Sequence, residues 1–440
     1  MTITYELQYL RRLLNIFRTI LVKFQYLSFV TSSGDFCLSI ADLYIIMTSI
    51  FISVIYAFQL FLYIYAMKYR ESFEKSGKYV QNNLVNKPLI TIIIPMYREH
   101  RIIYSTLNSL TELKYPRDKL QIILALEPDD LDSIKILRMI SIVIEQELNL
   151  PKLIKFKDLL IEIVYNESGI RSKPAALNQA IKFARGDIVA IYDAEDKPHP
   201  EHPLVVASIL SNSDVAAVQF TRAIDNSTDN ALTKAQDVEF HIWYDYLEPV
   251  ITKLMNSPAI AGSAYYIKRN VLSELGFWNP KSPAEDLDLT FRLVANGYKV
   301  KLVNIPTKTQ AIPFLKYLLR QRSRWIRGAL LTIPNAIKAL PRSIPLVVIT
   351  ILLPISSIII QSWPIASLFV NSTQSAMLIA PLILTILSYM SVYGLLNPRS
   401  INKLILVALM ALINALATWI AVIELVTNPY KWNKTIHVVR

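Results

Sequence analysis

Three carboxylates crowd into four residues directly after a short apolar run. Asp193, Glu195 and Asp196 follow residues 187–192, whose apolar side chains predict a buried strand. Oxygen-rich clusters of this kind bind hard divalent cations and, through them, phosphates. Crowded acids also repel one another, and a bound cation relieves that repulsion. These residues alone leave two interpretations open, a metal site or a solvated turn.

A second acidic cluster opens a segment with helical spacing that ends at Asn296-Gly297. Its members are Glu285, Asp286 and Asp288. Acidic side chains in the first turn of a helix interact favourably with the helix dipole. Taken alone, this cluster is therefore typical of an ordinary helix N-terminus, and a chemical role needs support from the rest of the chain.

A third candidate lies in a basic amphipathic stretch over about residues 313–339. Gln321, Arg324 and Trp325 are spaced i, i+3, i+4, so they share one face of a helix. Arginine binds phosphate oxygens through two parallel N–H groups, and tryptophan offers a flat surface for a sugar ring. The alternative is a helix lying on a membrane surface. The two interpretations are compatible, because one helix can carry both faces.

The elements that must position these clusters alternate between strands and helices from about residue 78 to 342. Such alternation predicts a mostly parallel sheet covered by helices, and ligands bind such sheets beyond the carboxyl ends of the strands. Glu127 and Asp193 each follow a predicted strand at that edge, which makes both of them site candidates. The predicted strands include residues 89–95, 120–126 and 187–192, and the predicted helices include residues 98–113 and 174–184.

The composition indicates that part of the chain lies in lipid. Only 18% of the residues are charged, against about 25% in a soluble domain. Residues 39–67 are long and apolar enough to cross about 30 Å of hydrocarbon, and the basic residues after them place that end in the cytoplasm. Residues 5–30 favour an interfacial amphipathic helix, with a second span as the alternative. Three further apolar blocks are residues 344–370, 376–393 and 404–425, in which Glu424 is the main charged exception.

Several classes of function are disfavoured by the composition. The single cysteine, Cys37, allows no internal disulfide and no thiolate metal site. Neither a Walker-type nor a Gly-x-Gly-x-x-Gly motif occurs, which argues against an ATPase or a dinucleotide enzyme. The net charge of +12 is not arranged as a nucleic-acid module, so no nucleic-acid partner is expected. His199 and His202 favour a polar loop over a metal pair.

The three clusters, in this order and between apolar segments, resemble the processive family-2 glycosyltransferases, which include cellulose, hyaluronan and related β-glycan synthases. The resemblance covers about residues 89–328 and the flanking spans. It implies an α/β fold, a GT-A-type Rossmann-like nucleotide-sugar domain with a mostly parallel sheet, and α-helical transmembrane segments at both ends. The implied boundaries are an amphipathic helix and span at 1–77, a cytosolic catalytic domain at 78–312, interfacial helices at 313–342, three spans at 343–427 and a basic tail at 428–440.

The resemblance also implies roles for individual residues. The Glu285-Asp286 pair stands at the catalytic motif, with Asp286 as the base. Asp193-Ala-Glu195 stands at the family's metal motif for Mg²⁺ or Mn²⁺, and whether Glu195 or the adjacent Asp196 meets the metal is open. Gly262, Ser263 and Trp325 match the acceptor side. The residues that match donor-binding positions are Pro95, Tyr97, Glu99, Glu127, Lys173, Asn178, Asp193, Gln321, Arg324 and Trp325.

The function that the resemblance implies is inverting transfer from a nucleotide-sugar, usually a UDP-sugar in this family, to a growing β-linked polysaccharide. The alternative within enzymes is transfer of a single sugar to a polyprenyl phosphate or another lipid. A more distant alternative is a transporter or channel with a nucleotide-sensing domain. The expected partners are the donor, a glycan or lipid acceptor, membrane lipids and an accessory export subunit. The expected location is the plasma membrane, with the catalytic domain in the cytoplasm.

Overall fold

The computed structural model describes residues 40–75, 87–144, 151–211, 214–367 and 403–430. The chain divides into two compact units. One comprises Met1–Phe58 and Ile355–Tyr389, and the other comprises Gln59–Pro354 and Met390–Arg440. The predicted amphipathic helix at residues 5–30, the predicted span at 376–393 and most of the basic tail lie outside the described residues.

The larger unit is built on a nine-stranded sheet with the order β3-β4-β5-β2-β1-β6-β8-β7-β9. The predicted mostly parallel sheet is confirmed, because among these strands only β4 and β8 run against the others. The strands predicted at residues 89–95, 120–126 and 187–192 are confirmed as well. The strands are β1 Ile90–Met96, β2 Leu120–Leu126, β3 Ile142–Ile144, β4 Lys152–Phe156, β5 Leu159–Tyr165, β6 Ile188–Ile191, β7 Val215–Ile224, β8 Tyr265–Lys268 and β9 Lys299–Thr309.

Helices cover the sheet and continue into the apolar segments. Short 3₁₀ turns at Arg117–Lys119 and Ile181–Phe183, and π-helical turns at Trp243–Leu247 and Val348–Leu352, complete the described elements. The α-helices are α1 Ile40–Lys75, α2 Ile103–Thr111, α3 Leu131–Ile140, α4 Lys173–Ala180, α5 His202–Ser211, α6 Ala231–Ile242, α7 Glu248–Met255, α8 Arg269–Glu274, α9 Glu285–Ala295, α10 Leu315–Leu331, α11 Ile333–Lys338, α12 Ile344–Val347, α13 Leu353–Ser367 and α14 Leu404–Thr427.

The central strands consist almost entirely of apolar residues because both faces of the sheet are covered. Alternate residues of β1 enter different layers: Ile92 and Ile94 belong to the cluster that contains Leu107 of α2, and Ile93 belongs to the cluster that contains Leu177 of α4. This two-sided packing aligns the carboxyl ends of β1, β2 and β6 side by side. The residues that follow these three strands are therefore brought to one edge.

Among the described residues, two helices contain segments that are long and apolar enough to cross a membrane. These segments are Met47–Ala66 within α1 and Leu404–Thr427, which is α14. The first predicted C-terminal span is shorter in the structure, where the apolar helical stretch runs over Ile344–Ile359 and includes a π-helical turn. Length and composition thus agree with the predicted spans at residues 39–67 and 404–425.

One titratable group is buried away from the strand edge. Glu248, the first residue of α7, has no exposed surface. Burial raises the pKa of Glu248 to about 8, because a charged carboxylate is poorly solvated in the protein interior. The folded state therefore retains a proton that the unfolded chain loses above pH ~4.

The pKa of Glu248 predicts the pH dependence of stability. Because the pKa of Glu248 is raised in the folded state, its favourable contribution to the free energy of unfolding is complete below the pKa of the unfolded chain. This contribution is lost as the pH rises toward about 8. Glu248→Gln should therefore gain little unfolding temperature over the wild type at pH 5 and clearly more at pH 8. Thermal unfolding of the purified protein at both pH values measures this. An equal difference at the two pH values would contradict the assignment.

Candidate active site

A cavity opens at the edge where β1, β2 and β6 end. Most of the residues singled out in the sequence line it, although they come from distant parts of the chain. Asn178, Ser263, Asp196 and Asp288 do not line it. The lining includes Pro95, Tyr97, Glu99, Glu127, Lys173, Asp193, Glu195, Gly262, Glu285, Asp286, Gln321, Arg324 and Trp325.

Lys173 joins the first two acidic clusters. Its Nζ atom donates to Asp193 Oδ1 at 2.5 Å and to the carbonyl oxygen of Gly262 at 2.7 Å, and it lies 3.5 Å from Glu285 Oε1. Burial lowers the pKa of Lys173, but the carboxylates of Asp193 and Glu285 more than offset this, so that its pKa lies above the ordinary value. The lysine is therefore a fixed positive charge at the centre of the cavity.

Local sequence chemistry places that lysine. Ser172 caps α4 by accepting a hydrogen bond from the backbone N–H of Ala175, and Pro174 occupies the first turn. A capping serine and a proline in this position are typical of a helix start. Lys173 thus begins the helix at a defined point, and its side chain extends toward the strand edge.

The second acidic cluster stands at the start of α9. Glu285 is buried, and burial raises its pKa to about 7 against the opposing effect of Lys173. Burial likewise raises the pKa of Asp286, again opposed by Lys173. A carboxylate with a raised pKa is a stronger base near neutral pH. The predicted helix beginning at Glu285 is confirmed, and its first turn faces the cavity.

Gly262 brings the backbone up against Asp286. It adopts a positive φ of +72°, and a Cβ atom at this position would lie 2.8 Å from Asp286 Oδ2. Only glycine combines this conformation with such a close approach. The predicted acceptor-side Gly262 and the predicted base Asp286 are therefore neighbours in the cavity.

The two adjacent acids after Asp193 point in different directions. Asp196 is 1% exposed, accepts from Arg222 Nη2 at 3.1 Å and receives the Ser263 hydroxyl. It also accepts from the backbone N–H of Asp193 at 3.2 Å. Glu195, in contrast, lines the cavity. Asp196 and Ser263 therefore hold the loop after β6 in place, and contact of Asp196 with a metal ion and of Ser263 with an acceptor stay predictions.

Asn178 is likewise placed outside the cavity lining. Its Nδ2 donates to the carbonyl oxygen of Trp278 at 2.7 Å, and its Oδ1 accepts from the backbone N–H of the same residue at 3.2 Å. The side chain thus fixes α4 to the segment before α9. In this structure Asn178 supports the site, and donor contact at this position stays a prediction.

The donor-side acids after β1 and β2 share the cavity. Glu99 is buried, and Glu127 accepts from Asn166 Nδ2 at 2.7 Å. Burial raises the pKa of Glu127, and the hydrogen bond from Asn166 partly opposes this. Pro95 and Tyr97 complete this end of the lining. Polar groups and a ring at the end of two parallel strands suit a nucleoside.

The third cluster meets the second through α10. Gln321, Arg324 and Trp325 all line the cavity, as their shared helical face predicts. Arg324 Nη1 donates to the carbonyl oxygen of Pro283 at 3.3 Å, two residues before Glu285. Trp325 is 36% exposed. An arginine and an accessible aromatic ring therefore stand over the acidic cluster.

Other cavity residues carried little signal in the sequence. Arg222 comes from β7 and lies 3.9 Å from Asp193 Oδ2, and a lone arginine within an apolar strand was the one available sign of a buried partner. Arg322, which is not on the face shared by the three predicted residues of α10, also lines the cavity. The further lining residues that sequence reasoning missed include Gln236, Phe240, Thr309 and Gln310.

The histidines in the described part of the chain do not line this cavity. His202 begins α5 and is buried, with its ring 3.6 Å from that of Phe220 and its Nδ1 atom 2.8 Å from the Tyr192 hydroxyl. Burial lowers its pKa to about 3. The polar-loop interpretation is therefore wrong for His202, which is a core residue. The centres of the His199 and His202 rings lie 5.7 Å apart.

The carboxylate oxygens that line the cavity are suitable ligands for a hard divalent cation. Asp193 and Glu195 are the two carboxylates of the first cluster that line it. Mg²⁺ is commonly held by one or two carboxylates together with water and substrate phosphates. Within the described chain, no group of three or more metal-ligating side chains is assembled. The residues therefore suit a cation that arrives with a diphosphate.

Comparisons with known protein families cover this site. The model described as "Glycosyl transferase family group 2" matches residues 188–422, more than half of the 440 residues. The model described as "Glycosyl transferase family 2" matches residues 91–276. Together these matches include the strand edge, both acidic clusters and α10.

Individual relatives are more distant. The "Probable glycosyltransferase YdaM" of Bacillus subtilis is 24% identical over 277 residues, 62% of this chain and 63% of that protein. The "Beta-monoglucosyldiacylglycerol synthase" of Trichormus variabilis is 26% identical over 244 residues, 55% of this chain and 49% of that protein. The chain thus spans about half to two thirds of the length of these relatives.

A solved structure shows a looser likeness. The "Mannosyltransferase PcManGT from Pyrobaculum calidifontis in complex with GDP-Man and Mn2+" is 19% identical to this chain. It aligns with a TM-score of 0.49 over 83% of this chain and 99% of that one.

The contact between Gly262 and Asp286 generates a matched pair of variants. Gly262→Ala places a methyl group against the Asp286 carboxylate, so we expect nucleoside-diphosphate release to fall at least about tenfold, which corresponds to roughly 1.4 kcal/mol. Gly169→Ala is the control, since Gly169 has a similar φ of +74° and nothing within 4 Å of its added Cβ. Both variants carry the same backbone strain. An equal loss of turnover in the two variants would show that strain alone is responsible.

Proposed function

We propose that this chain, which belongs to glycosyl transferase family group 2, transfers a glycosyl unit with inversion from a nucleoside-diphosphate sugar to an acceptor at a membrane. The observation that carries the proposal is the contact of Lys173 with both Asp193 and Glu285. The partly buried ammonium group of Lys173 thereby joins the acids suited to the donor diphosphate to the acids suited to proton transfer.

The donor lies along the strand edge in this proposal. Glu99 and Glu127 contact the nucleoside together with Pro95 and Tyr97, because these residues form the end of the cavity beyond β1 and β2. Lys173 and Arg324 stabilise the charge that develops on the leaving diphosphate, as fixed cations do in water-poor sites. Gln321 stands beside Arg324 on the same helical face.

The transfer is a single displacement. The acceptor hydroxyl oxygen bonds to the anomeric carbon as the bond from that carbon to the diphosphate oxygen breaks, and the hydroxyl proton passes to Asp286. The raised pKa of Asp286 suits it to accept this proton, and the close approach of Gly262 fixes the carboxylate. One displacement inverts the anomeric centre, so an α-linked donor gives a β-glycoside.

Asp193 and Glu195 are the residues that would hold Mg²⁺ or Mn²⁺. When bound, such a cation neutralises the departing diphosphate. Asp196 has a different task, since its pairing with Arg222 and Ser263 keeps the Asp193 backbone in place.

The acceptor in this proposal is a growing β-linked polysaccharide. Its support is the position of Trp325, an accessible ring on α10 beside the second acidic cluster. A flat aromatic face suits a sugar ring at the end of a glycan. The helix that carries Trp325 packs against the apolar helix α14, which would bring the product close to the membrane.

A lipid acceptor is the second candidate. It is favoured by the match to a relative whose name is monoglucosyldiacylglycerol synthase, and it would receive a single sugar. Mass spectrometry of the product separates the candidates, because a polysaccharide gives a ladder of sizes and a lipid gives one added sugar.

The organisation that we propose follows the predicted boundaries. Residues 78–312 form the catalytic domain in the cytoplasm, and residues 313–342 lie at the membrane surface. The spans at 1–77 and 343–427 anchor the chain in the plasma membrane. Two apolar segments of sufficient length support this organisation.

Asp286→Asn tests the proposed chemistry. The amide is nearly the same shape but accepts no proton, so we expect nucleoside-diphosphate release in the presence of acceptor to fall about 100-fold or more, the usual effect of losing a general base. Binding of the nucleotide to the purified variant should be unchanged. Nucleoside-diphosphate release and calorimetric nucleotide binding are the two measurements.

An exposed acid provides the control for this test. Asp132→Asn removes a carboxylate from α3, where the side chain is exposed, and should leave both measurements at the wild-type value. Near wild-type turnover by Asp286→Asn would exclude Asp286 as the general base. Loss of nucleotide binding together with turnover would instead assign Asp286 to the donor.

A further inference from the structure

Helix α14 contains two strongly polar side chains in an otherwise apolar segment. Its mean hydropathy is 2.4, yet it includes Asn414 and Glu424. Polar groups in such a helix cost free energy unless they are paired, and paired ones commonly have a function. Both of these side chains have partners on other helices of the same compact unit.

Asn414 begins a chain of contacts that leads to the cavity. Its Nδ2 donates to Glu239 Oε1 of α6 at 3.1 Å. The other oxygen of that carboxylate accepts from Arg322 Nη2 of α10 at 2.5 Å. Glu239 therefore links α14 to the helix that carries the Gln-x-x-Arg-Trp residues.

The chain of contacts ends at a cavity residue. The guanidinium carbon of Arg322 lies 4.5 Å from the centre of the Trp325 ring, within the range of a cation–π contact. The Arg322 side chain is only 9% exposed, whereas Trp325 is 36% exposed. Arg322 thus packs against one face of the Trp325 ring, and the hydrogen bond to Glu239 orients the Arg322 side chain. The Trp325 ring itself lines the cavity.

A second contact fixes the position of α14 along α10. Glu424 accepts from Arg327 Nη1 at 2.5 Å and from the Ser323 hydroxyl at 3.2 Å. Between Asn414 and Glu424, Ala417 and Ala421 are fully buried. Small residues of this kind allow helices to approach closely. These contacts fix the position of α14 along the axis of α10, and Asn414 is therefore held within hydrogen-bond distance of Glu239.

We propose that Asn414 is a positioning residue for the acceptor side of the cavity. Acting through Glu239 and Arg322, it holds the Trp325 ring in the orientation that receives the acceptor. This inference rests on the proposed function, which assigns Trp325 to the acceptor. In this proposal, the side-chain amide of Asn414 on the apolar helix α14 contributes to acceptor recognition.

Asn414→Leu in the full-length protein tests the proposal, because leucine keeps the approximate size and removes the donor. We expect the KM for the acceptor to rise about fivefold, the effect of one net hydrogen bond, with kcat and the donor KM unchanged. The acceptor is dioleoylglycerol or cellotetraose, whichever supports nucleoside-diphosphate release. We also expect stronger acrylamide quenching of Trp325 fluorescence, obtained as the difference between variants with and without Trp325→Phe.

Two further variants separate positioning from a general loosening. Thr427→Val removes an exposed hydroxyl from the same helix and should change neither measurement, and Asn414→Gln restores an amide and should recover part of the acceptor affinity. In the double variant Asn414→Leu/Glu239→Gln, the effect on KM should be smaller than the sum of the single effects, because both act on one contact chain.

The outcomes that overturn the proposal are specific. The proposal is overturned if Asn414→Leu behaves like Thr427→Val in both measurements, or if it lowers kcat and donor affinity together with acceptor affinity. A wild-type protein that releases no nucleoside diphosphate with any donor and either acceptor would defeat the proposed function. The quenching measurement would still decide whether Asn414 orients Trp325.

Discussion

The site depends on the positive charge of one partly buried lysine, Lys173, which lies between acids that would otherwise repel one another. Asp193, Glu285 and Asp286 converge on a single cavity, and Lys173 contacts two of them while it also donates to the backbone of Gly262. Carboxylates in a poorly solvated space need a positive partner. The contacts of Lys173 therefore hold together the strand edge at Asp193, the backbone at Gly262 and the start of α9 at Glu285.

The fold supplies that convergence through ordinary packing. Two-sided burial of β1, β2 and β6 aligns their carboxyl ends, so Glu127 and Asp193 lie at one edge without any special local sequence. The buried pairing of Asp196 with Arg222 then anchors the loop after β6. Rigid elements hold the reacting groups more accurately than free loops, and here the loops themselves are held from behind.

Much of this arrangement could be predicted from the sequence, because apolar runs mark buried strands and shared helical spacing marks one face. The mostly parallel sheet, the helix starting at Glu285 and the cavity face of α10 follow from such local patterns. The directions of Glu195 and Asp196 could not be predicted, since they depend on Arg222, a partner distant in sequence. The contact of Asn178 with the backbone of Trp278 could not be predicted for the same reason.

The most direct test of this account is nucleoside-diphosphate release by Lys173→Met, measured beside the wild type over a panel of UDP- and GDP-sugars with Mg²⁺ or Mn²⁺. We expect the wild type to turn over at least one donor and the variant to lose about 100-fold or more of this turnover, as expected for removal of a charge-stabilising group. Turnover by Lys173→Met at the wild-type rate would contradict it, because the two acidic clusters would then work without the cation that joins them.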